Sequence, residues 1–552
     1  MCLIRDVNKF YALILASCLS CKIKKEHQIP KLVVLISVDQ MRGDYMSKYH
    51  SNLNGGLKYL AENGQSFLNT HHNHANTSTA PGHATIATGC HPSNNGITNN
   101  SIYYRNKQKS YYSILDTSVN FVGITKCSLP KSSAKNLLKP GIGDIIKSSN
   151  PKSKSYSVSL KDRASILMGG HYANRAFWFD AESTQMVSTD YYSEPFPNWV
   201  KNYLGKKILA DDINSGWQLN SKSKSYYDIT KDNIKQEDGF FSPLFPHTLS
   251  NINSNQNSNT LIGDFLWNTP FGDKFVLEFS KKLIENQNLG KNTHTDIITI
   301  SLSAADYIGH EFGPDSYEIE DYYYKLDQYL MEFINFLNDK IGQENYVLTL
   351  TSDHGVAPFP ELAINSGSQA KRISYNKFEL DIDSINLLVQ KDLNLNKSCI
   401  LASSGYRGVE PNFEILNSYD IDSLELINTI QYHLKKLNYV RETISFLDIN
   451  DLKCNKIFIE KTRNSYNPNH GYFIKIIGEK NHLIDYRHHG TTHGSPLYYD
   501  THVPLIFMGS NILSSQINDA ASTVDITPTL LDYIGIQAMQ IFDGNKLNLI
   551  LK

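Results

Sequence analysis

The chain has 552 residues, 40% of them hydrophobic and 20% charged, with a formal net charge of -2. That length is ample for a large core, and near-neutrality offers no global attraction to nucleic acid or to an acidic membrane surface. Seven cysteines in so long a chain are too few for a disulfide-built scaffold.

Arg5 and Lys9 precede a short apolar run, Phe10 through Ala16, closed by Ser17 and Cys18. The run is too short to span a bilayer and has the layout of a signal peptide. Leu15-Ala16-Ser17-Cys18 resembles a bacterial lipobox, in which Cys18 is lipidated and tethers the protein without spanning the membrane. Residues 1–18 are therefore expected to be a lipoprotein-type signal peptide and 19–30 a polar tether. The protein would be exported, periplasmic or membrane-anchored, in a bacterium.

Residues 31–38 (KLVVLISV) are a near-continuous β-branched and aliphatic run that predicts a buried strand, and Asp39 follows at once. Residues 55–64 predict a short helix with Leu57, Leu60 and Ala61 on one face. In Thr79-Ala80-Pro81-Gly82-His83, Pro81 marks a helix start, because proline is favoured at the first helical position. The Thr79 hydroxyl would then face backbone N–H groups and the positive end of a helix dipole, a setting suited to attack on a phosphate. Such a hydroxyl is a weak nucleophile unless a base or a metal helps remove its proton.

Residues 155–160 alternate as a strand does, which would put Lys161 and Arg163 on one face. Residues 170–260, rich in Tyr, Ser, Asn and Asp without a strong period, predict loops and hairpins over a site. Asn268-Thr269-Pro270 opens a helix carrying Phe271, Phe275, Phe279, Leu283 and Ile284 as core residues. A second buried strand, 296–302 (DIITISL), is followed by Asp306 and His310. A third, 346–351 (YVLTLT), is followed by Asp353 and His354. Residues 371–480 read as an inserted subdomain with an amphipathic helix near 423–437. His493 precedes a fourth apolar segment, 503–508, and residues 524–530 begin a final helix.

Buried strands interleaved with helices imply an α/β fold, a central mostly parallel sheet with helices on both faces. In open α/β sheets ligands bind beyond the carboxyl ends of the strands, so Asp39, Asp306 and Asp353 are expected to converge. Mixed carboxylate and imidazole donors match zinc better than magnesium or calcium. Two such ions about 3.5–4 Å apart clamp the attacking and leaving oxygens of a phosphoryl displacement. Singly, each piece has a bland explanation: Asp-His-Gly is commonly a turn, and strand-end charges are commonly solvated.

Together these segments resemble the alkaline phosphatase superfamily, in particular its PafA-type phosphomonoesterases, related to the nucleotide pyrophosphatase/phosphodiesterases. The resemblance is carried by Ser37-Val38-Asp39-Gln40-Met41-Arg42, Thr79-Ala80-Pro81-Gly82-His83-Ala84-Thr85, and Gly96-Ile97-Thr98-Asn99-Asn100-Ser101. Ser159-Leu160-Lys161-Asp162-Arg163, Asp306 to His310, Ser352-Asp353-His354-Gly355 and residues 490–504 complete it. It implies two Zn2+ ions, one held by Asp39, Asp353 and His354 with the Thr79 oxygen, the other by Asp306, His310 and His493. It also implies a phosphothreonine at Thr79, hydrolysed in a second displacement. Asn100, Lys161 and Arg163 would bind the phosphoryl oxygens and favour a monoester, whose extra charged oxygen they can pair. Thr79 in Thr79-Ala80-Pro81-Gly82-His83 leaves no residue convertible to formylglycine, which argues against a sulfatase.

The expected function is therefore an exported alkaline phosphatase acting on small phosphate monoesters, a monomer touching membrane only through Cys18. Alternatives are a nucleotide pyrophosphatase/phosphodiesterase on the same scaffold and a non-catalytic, metal-binding surface lipoprotein. The catalytic core is expected over 31–370, with insertions at about 103–140 and 170–260, and again over 481–552. Among Cys90, Cys127, Cys399 and Cys454 one or two bridges remain open. His71, His72, His74, His83, His488 and His489 are left outside the ligand set.

Overall fold

The run at 31–38 forms the strand Leu32–Val38, buried at every residue. Its side chains point alternately to two different cores. Val33 and Leu35 pack with Ile142, Ile146 and Leu530, whereas Val34 and Ile36 pack with Phe275, Phe279 and Leu330. Both faces of the sheet are covered, which is why the run is continuously apolar. Each such side chain contributes about 1.5–3 kcal/mol when fully buried. The computed structural model describes residues 28–552 except 221–222, 224–231, 238, 253–259, 366, 368 and 486. The expected signal peptide and Cys18 lie outside the described residues. Among those described, no helix is long and apolar enough to cross a membrane.

Leu32–Val38 belongs to a ten-stranded sheet. Its order is Ser515–Ser522, Gln65–His71, Ile506–Gly509, Tyr346–Thr351, Leu32–Val38, Asp296–Leu302, Ser155–Ser159, Arg175–Asp180, Gln185–Thr189 and Phe121–Val122. The five strands from Tyr346–Thr351 to Arg175–Asp180 are parallel, and Ile506–Gly509 and Gln185–Thr189 flank them antiparallel. Register brings the strand ends level: Val38 pairs with Leu302, Ser37 with Thr351, and Ser159 with Ser301. Asp39, Ser303, Ser352 and Leu160 therefore leave the sheet side by side. The Asp39 N–H donates to the Leu302 carbonyl at 2.8 Å.

A second sheet, ordered Ile400–Ser403, Val409–Pro411, Ile474–Gly478 and Val440–Ser445, packs with helices Tyr375–Asp392 and Ser423–Leu434 around its own core. The short parallel pair Arg372–Ser374 with Leu483–Asp485 brings the two ends of this segment together.

Several expectations need correction. Residues 170–260 are not only loops and hairpins over the site, because the hairpin of Arg175–Asp180 and Gln185–Thr189 extends the central sheet. Every residue of both strands is buried, so no alternation was there to see. Pro81 is the third residue of its helix, Thr79–Thr88, not the first. Leu424 is 48% exposed at the start of Ser423–Leu434. Cys90, Cys127, Cys399 and Cys454 are all free thiols.

Candidate active site

Thr79 is the first residue of its helix and is buried, with Ser78 at the N-cap. Ser78 forms no side-chain cap; instead Asn100 Oδ1 accepts the Ala80 N–H at 2.8 Å. That leaves the Asn100 amide NH2 to donate elsewhere. Arg163 Nη2 donates to Thr79 Oγ1 at 3.4 Å. The helix runs so close to the loop after Tyr346–Thr351 that a Cβ on Gly82 would lie 2.2 Å from the Asp353 carbonyl oxygen. His83, set aside in the sequence reading, braces this contact. Its Nδ1 lies 2.8 Å from the Thr79 carbonyl and 3.3 Å from Asp353 Oδ2, and its Nε2 lies 2.8 Å from Ser301 Oγ. Burial lowers the pKa of this imidazole to about 3 and keeps it neutral.

The six expected ligands fall into two groups. Ligand atoms of Asp39, Asp353 and His354 lie within 4.8 Å of one another, and so do those of Asp306, His310 and His493. Asp306 and His310 share a face of helix Ala304–Phe312, four residues apart. The three imidazoles are oriented alike. Nδ1 of His310 meets the Thr491 carbonyl at 2.7 Å, that of His354 the Gly355 carbonyl at 3.0 Å, and that of His493 the Thr77 carbonyl at 2.7 Å. A carbonyl only accepts, so each Nδ1 carries a proton and Nε2 is the ring nitrogen turned towards the carboxylates. His310 and His493 Nε2 lie 3.2 and 3.5 Å from Asp306 Oδ1, and His354 Nε2 lies 3.4 Å from Asp39 Oδ1.

Whether these residues suit a metal is decided by what satisfies them. Asp39 Oδ1, Asp353 Oδ2 and His354 Nε2 are buried and have no hydrogen-bond partner among the described residues. Converging lone pairs of this kind, left uncompensated, cost several kcal/mol, roughly. A divalent cation removes that cost, and mixed oxygen and nitrogen donors fit zinc. Burial, then the Asp39 charge, raises the Asp353 carboxyl well above its ordinary range. At Asp306 burial pushes upward too, but His310 and Lys161 outweigh it and hold the carboxyl low.

Lys161 and Arg163 reach the site by a route the strand pattern did not indicate. The strand ends at Ser159, Lys161 caps the following helix Asp162–Gly169, and Arg163 is that helix's second residue, so they do not share a strand face. The Lys161 ammonium donates to Asp39 Oδ2 at 2.7 Å and to Asp306 Oδ2 at 2.5 Å. It thus links the two groups through one oxygen of each carboxylate.

Three supporting residues were missed. Gln40 has a left-handed backbone, with φ of 67°. Its side-chain amide donates to Asp306 Oδ1 at 2.7 Å and its N–H to Asp353 Oδ1 at 3.2 Å. Non-glycine residues held this way cluster at functional sites, and its place beside Asp39 was the available signal. Asp273 accepts the Ser303 and Ala304 N–H groups and so fixes the start of the helix bearing Asp306. Asp500 accepts from Gly494 N, Ser495 N and Ser495 Oγ, which shapes the loop carrying His493. His72 bonds to the Ser352 carbonyl and to Thr523 Oγ1.

Asn100, Arg163, Asp306, Tyr307, His310 and His493 line one cleft of about 830 Å³. This cleft lies beyond the carboxyl ends of a parallel sheet, where open α/β folds bind ligands, and its donors suit phosphoric-ester hydrolysis. The profile of the type I phosphodiesterase / nucleotide pyrophosphatase family matches residues 33–376, and the chain belongs to that family, within the alkaline phosphatase superfamily. It is 33% identical over 520 residues to alkaline phosphatase PafA of Elizabethkingia meningoseptica, covering 92% of each chain. It is also 33% identical over 522 residues, 92% of each, to a Myroides odoratus protein named calcium-transporting ATPase. The crystal structure of wild-type PafA aligns with a TM-score of 0.84 and 31% identity, over 94% of this chain and 98% of that one. A solved PafA variant with a threonine, an asparagine, a lysine and an arginine replaced aligns with the same TM-score and coverage at 30% identity.

Proposed function

We propose that this chain hydrolyses phosphate monoesters at a pair of metal ions, with Thr79 as nucleophile. The observation that carries the reading is the convergence of Thr79, Arg163 and two sets of inward-facing carboxylate and imidazole donors at one end of the sheet. Asp39, Asp353 and His354 would hold one ion and Asp306, His310 and His493 the other, with zinc favoured by the donor set. Bound there, the ions supply positive charge that lowers the pKa of an oxygen held against them and offsets the charge of the phosphoryl group.

Thr79 Oγ1 attacks phosphorus and gives up its proton to solvent, the Thr79 O–P bond forming as the ester P–O bond breaks, and the alcohol leaves with a proton from solvent. Water then attacks the phosphothreonine, releasing inorganic phosphate and restoring the hydroxyl. Arg163, already turned towards Thr79 Oγ1, presents a planar fork of donors to two phosphoryl oxygens. Asn100, its Oδ1 held on the Ala80 N–H, keeps its NH2 for a third. Lys161 stays charged between Asp39 and Asp306 and adds positive potential that favours a dianion. Threonine, asparagine, lysine and arginine are the residue types replaced together in the PafA variant, which supports assigning these four. Export with a lipid at Cys18 belongs to the same reading and is supported by the leader sequence alone.

A diesterase is the second reading, favoured by the family's description and by the engagement of Lys161 with carboxylates rather than with the open cleft. The deciding experiment compares p-nitrophenyl phosphate with methyl p-nitrophenyl phosphate, before chelation, after it, and after zinc is restored. The monoester should be turned over faster, with both activities lost on chelation and regained with zinc. A diester rate equal to or above the monoester rate overturns the proposal.

A further inference from the structure

The cleft is much larger than the transferred group. Its volume, about 830 Å³, lies in the roughly 300–1,000 Å³ range of sites that enclose whole small molecules. Part of its wall comes from the 372–485 segment, through Tyr375, Tyr406, Arg407 and Ile484.

Arg407 is carried by a turn that neighbouring backbone holds in place. The strands Ile400–Ser403 and Val409–Pro411 are antiparallel, and the Ser404 N–H donates to the Gly408 carbonyl at 3.0 Å. Gly405 and Gly408 have φ of 49° and 134°, which a side chain would strain. A Cβ on Gly408 would also lie 2.1 Å from the Ile474 carbonyl oxygen. Tyr406 donates its hydroxyl to the His482 carbonyl at 3.1 Å, and its ring lies where a Cβ on Gly478 would be 2.4 Å away. The turn therefore holds Arg407 at the cleft.

Positive charge on this wall is only partly paired. Arg487 pairs with Asp485 at 3.1 Å, and Arg163 faces Thr79. Glu311 accepts the Phe241 N–H at 2.8 Å. Arg407 is exposed; its backbone N–H donates to the Ser404 carbonyl at 2.9 Å, while its guanidinium makes no hydrogen bond or ion pair among the described residues. Asn76, Asn99 and Arg407 also border a side pocket of about 40 Å³ that Lys475 lines. The buried Lys475 ammonium donates to Asn76 Oδ1 and has no carboxylate partner among the described residues. Burial, with Arg407 nearby, brings its pKa down to about 7 against the opposing pull of the Asp500 carboxylate. Two basic side chains without a salt bridge of their own suit an anionic ligand, whose charge would also hold the Lys475 ammonium protonated.

We infer that Arg407 and Lys475 form an anion subsite for the alcohol portion of the substrate, so that esters bearing a second phosphoryl group are preferred to those with a neutral alcohol. The inference rests on the monoesterase reading and adds the substrate class to it.

The test uses short α,ω-alkanediol bisphosphates and the matching monophosphates, with phosphate release followed in the zinc-loaded full chain. After correction for two equivalent ends, wild type should show kcat/KM about tenfold higher for the best bisphosphate, the worth of one partly solvated charge-assisted hydrogen bond. Arg407→Ala should bring that ratio close to one, Arg407→Lys should keep part of it, and Arg407→Glu should invert it. A wild-type ratio near one, or a ratio unchanged in Arg407→Ala, overturns the subsite. Failure of wild type to release phosphate from either compound would instead sink the monoesterase reading beneath it.

Discussion

Gly82→Ala tests whether the contact between the nucleophile helix and the Asp353 loop sets the catalytic geometry. Gly82 lies within Thr79–Thr88 and has no left-handed φ, so its backbone accepts alanine, and helix propensity favours the change by about 0.8–1 kcal/mol. The obstacle is space. The new Cβ would lie 2.2 Å from the Asp353 carbonyl oxygen and 2.8 Å from the Asp353 Cβ. A carbon–oxygen contact normally settles near about 3.3–3.6 Å, so helix and loop must part by roughly 1 Å. That movement falls between Thr79 and Asp353. A displacement of this size at reacting groups costs on the order of 100-fold in rate, or about 2.7 kcal/mol of barrier. Overpacking costs about 1–3 kcal/mol of stability, partly offset by the propensity gain. The assay is kcat/KM for p-nitrophenyl phosphate with zinc loaded, read beside the thermal midpoint. A variant within threefold of wild type in kcat/KM would refute the argument, because the contact would then not position Thr79.

Thr79→Ala should lower monoester turnover by at least about a thousandfold, as loss of a nucleophile does, whereas Thr79→Ser keeps measurable activity. Equal rates for the two variants in a stopped phosphate-release assay would remove Thr79 from the mechanism. Arg163→Ala should cut monoester kcat/KM by about 10–100-fold, the worth of a hydrogen bond to a charged group, and cut diester kcat/KM by less; equal losses would count against its role in selection. Chelation should lower the thermal midpoint as well as the activity, and zinc at 100 times its dissociation constant should restore about 2.7 kcal/mol. Burial pushes the Asp273 carboxyl from an ordinary 3.8 up to about 7, so the folded chain holds a proton that the unfolded chain releases. Its contribution is complete below about pH 4 and is lost as pH rises through about 7. Wild type should therefore lose stability relative to Asp273→Asn across that window in urea titrations, and a pH-independent difference would exclude the effect.

Much of the sheet was legible because its strands are buried on both faces and read as unbroken apolar runs ending in Asp39, Asp306 or Asp353. Level registers such as Val38 with Leu302 turned those sequence positions into neighbours. Arg175–Asp180 escaped because RAFWFD carries charge at both ends and no alternation, and it is a strand by pairing with Ser155–Ser159 and Gln185–Thr189. The pairing of Lys161 with Arg163 was misjudged because the change from strand to helix at Lys161 is invisible to a two-residue period. The proton positions on His310, His354 and His493 depend on the carbonyls of Thr491, Gly355 and Thr77, and backbone partners leave no mark in residue type. The left-handed Gln40 and the steric role of Gly82 are likewise properties of the assembled loops.

Anomalous diffraction at the zinc edge from zinc-soaked crystals puts the central claim to its most direct test. Two peaks should appear, one among Asp39, Asp353 and His354 and one among Asp306, His310 and His493, both beside Thr79. Peaks elsewhere, or none at either group, would contradict the account.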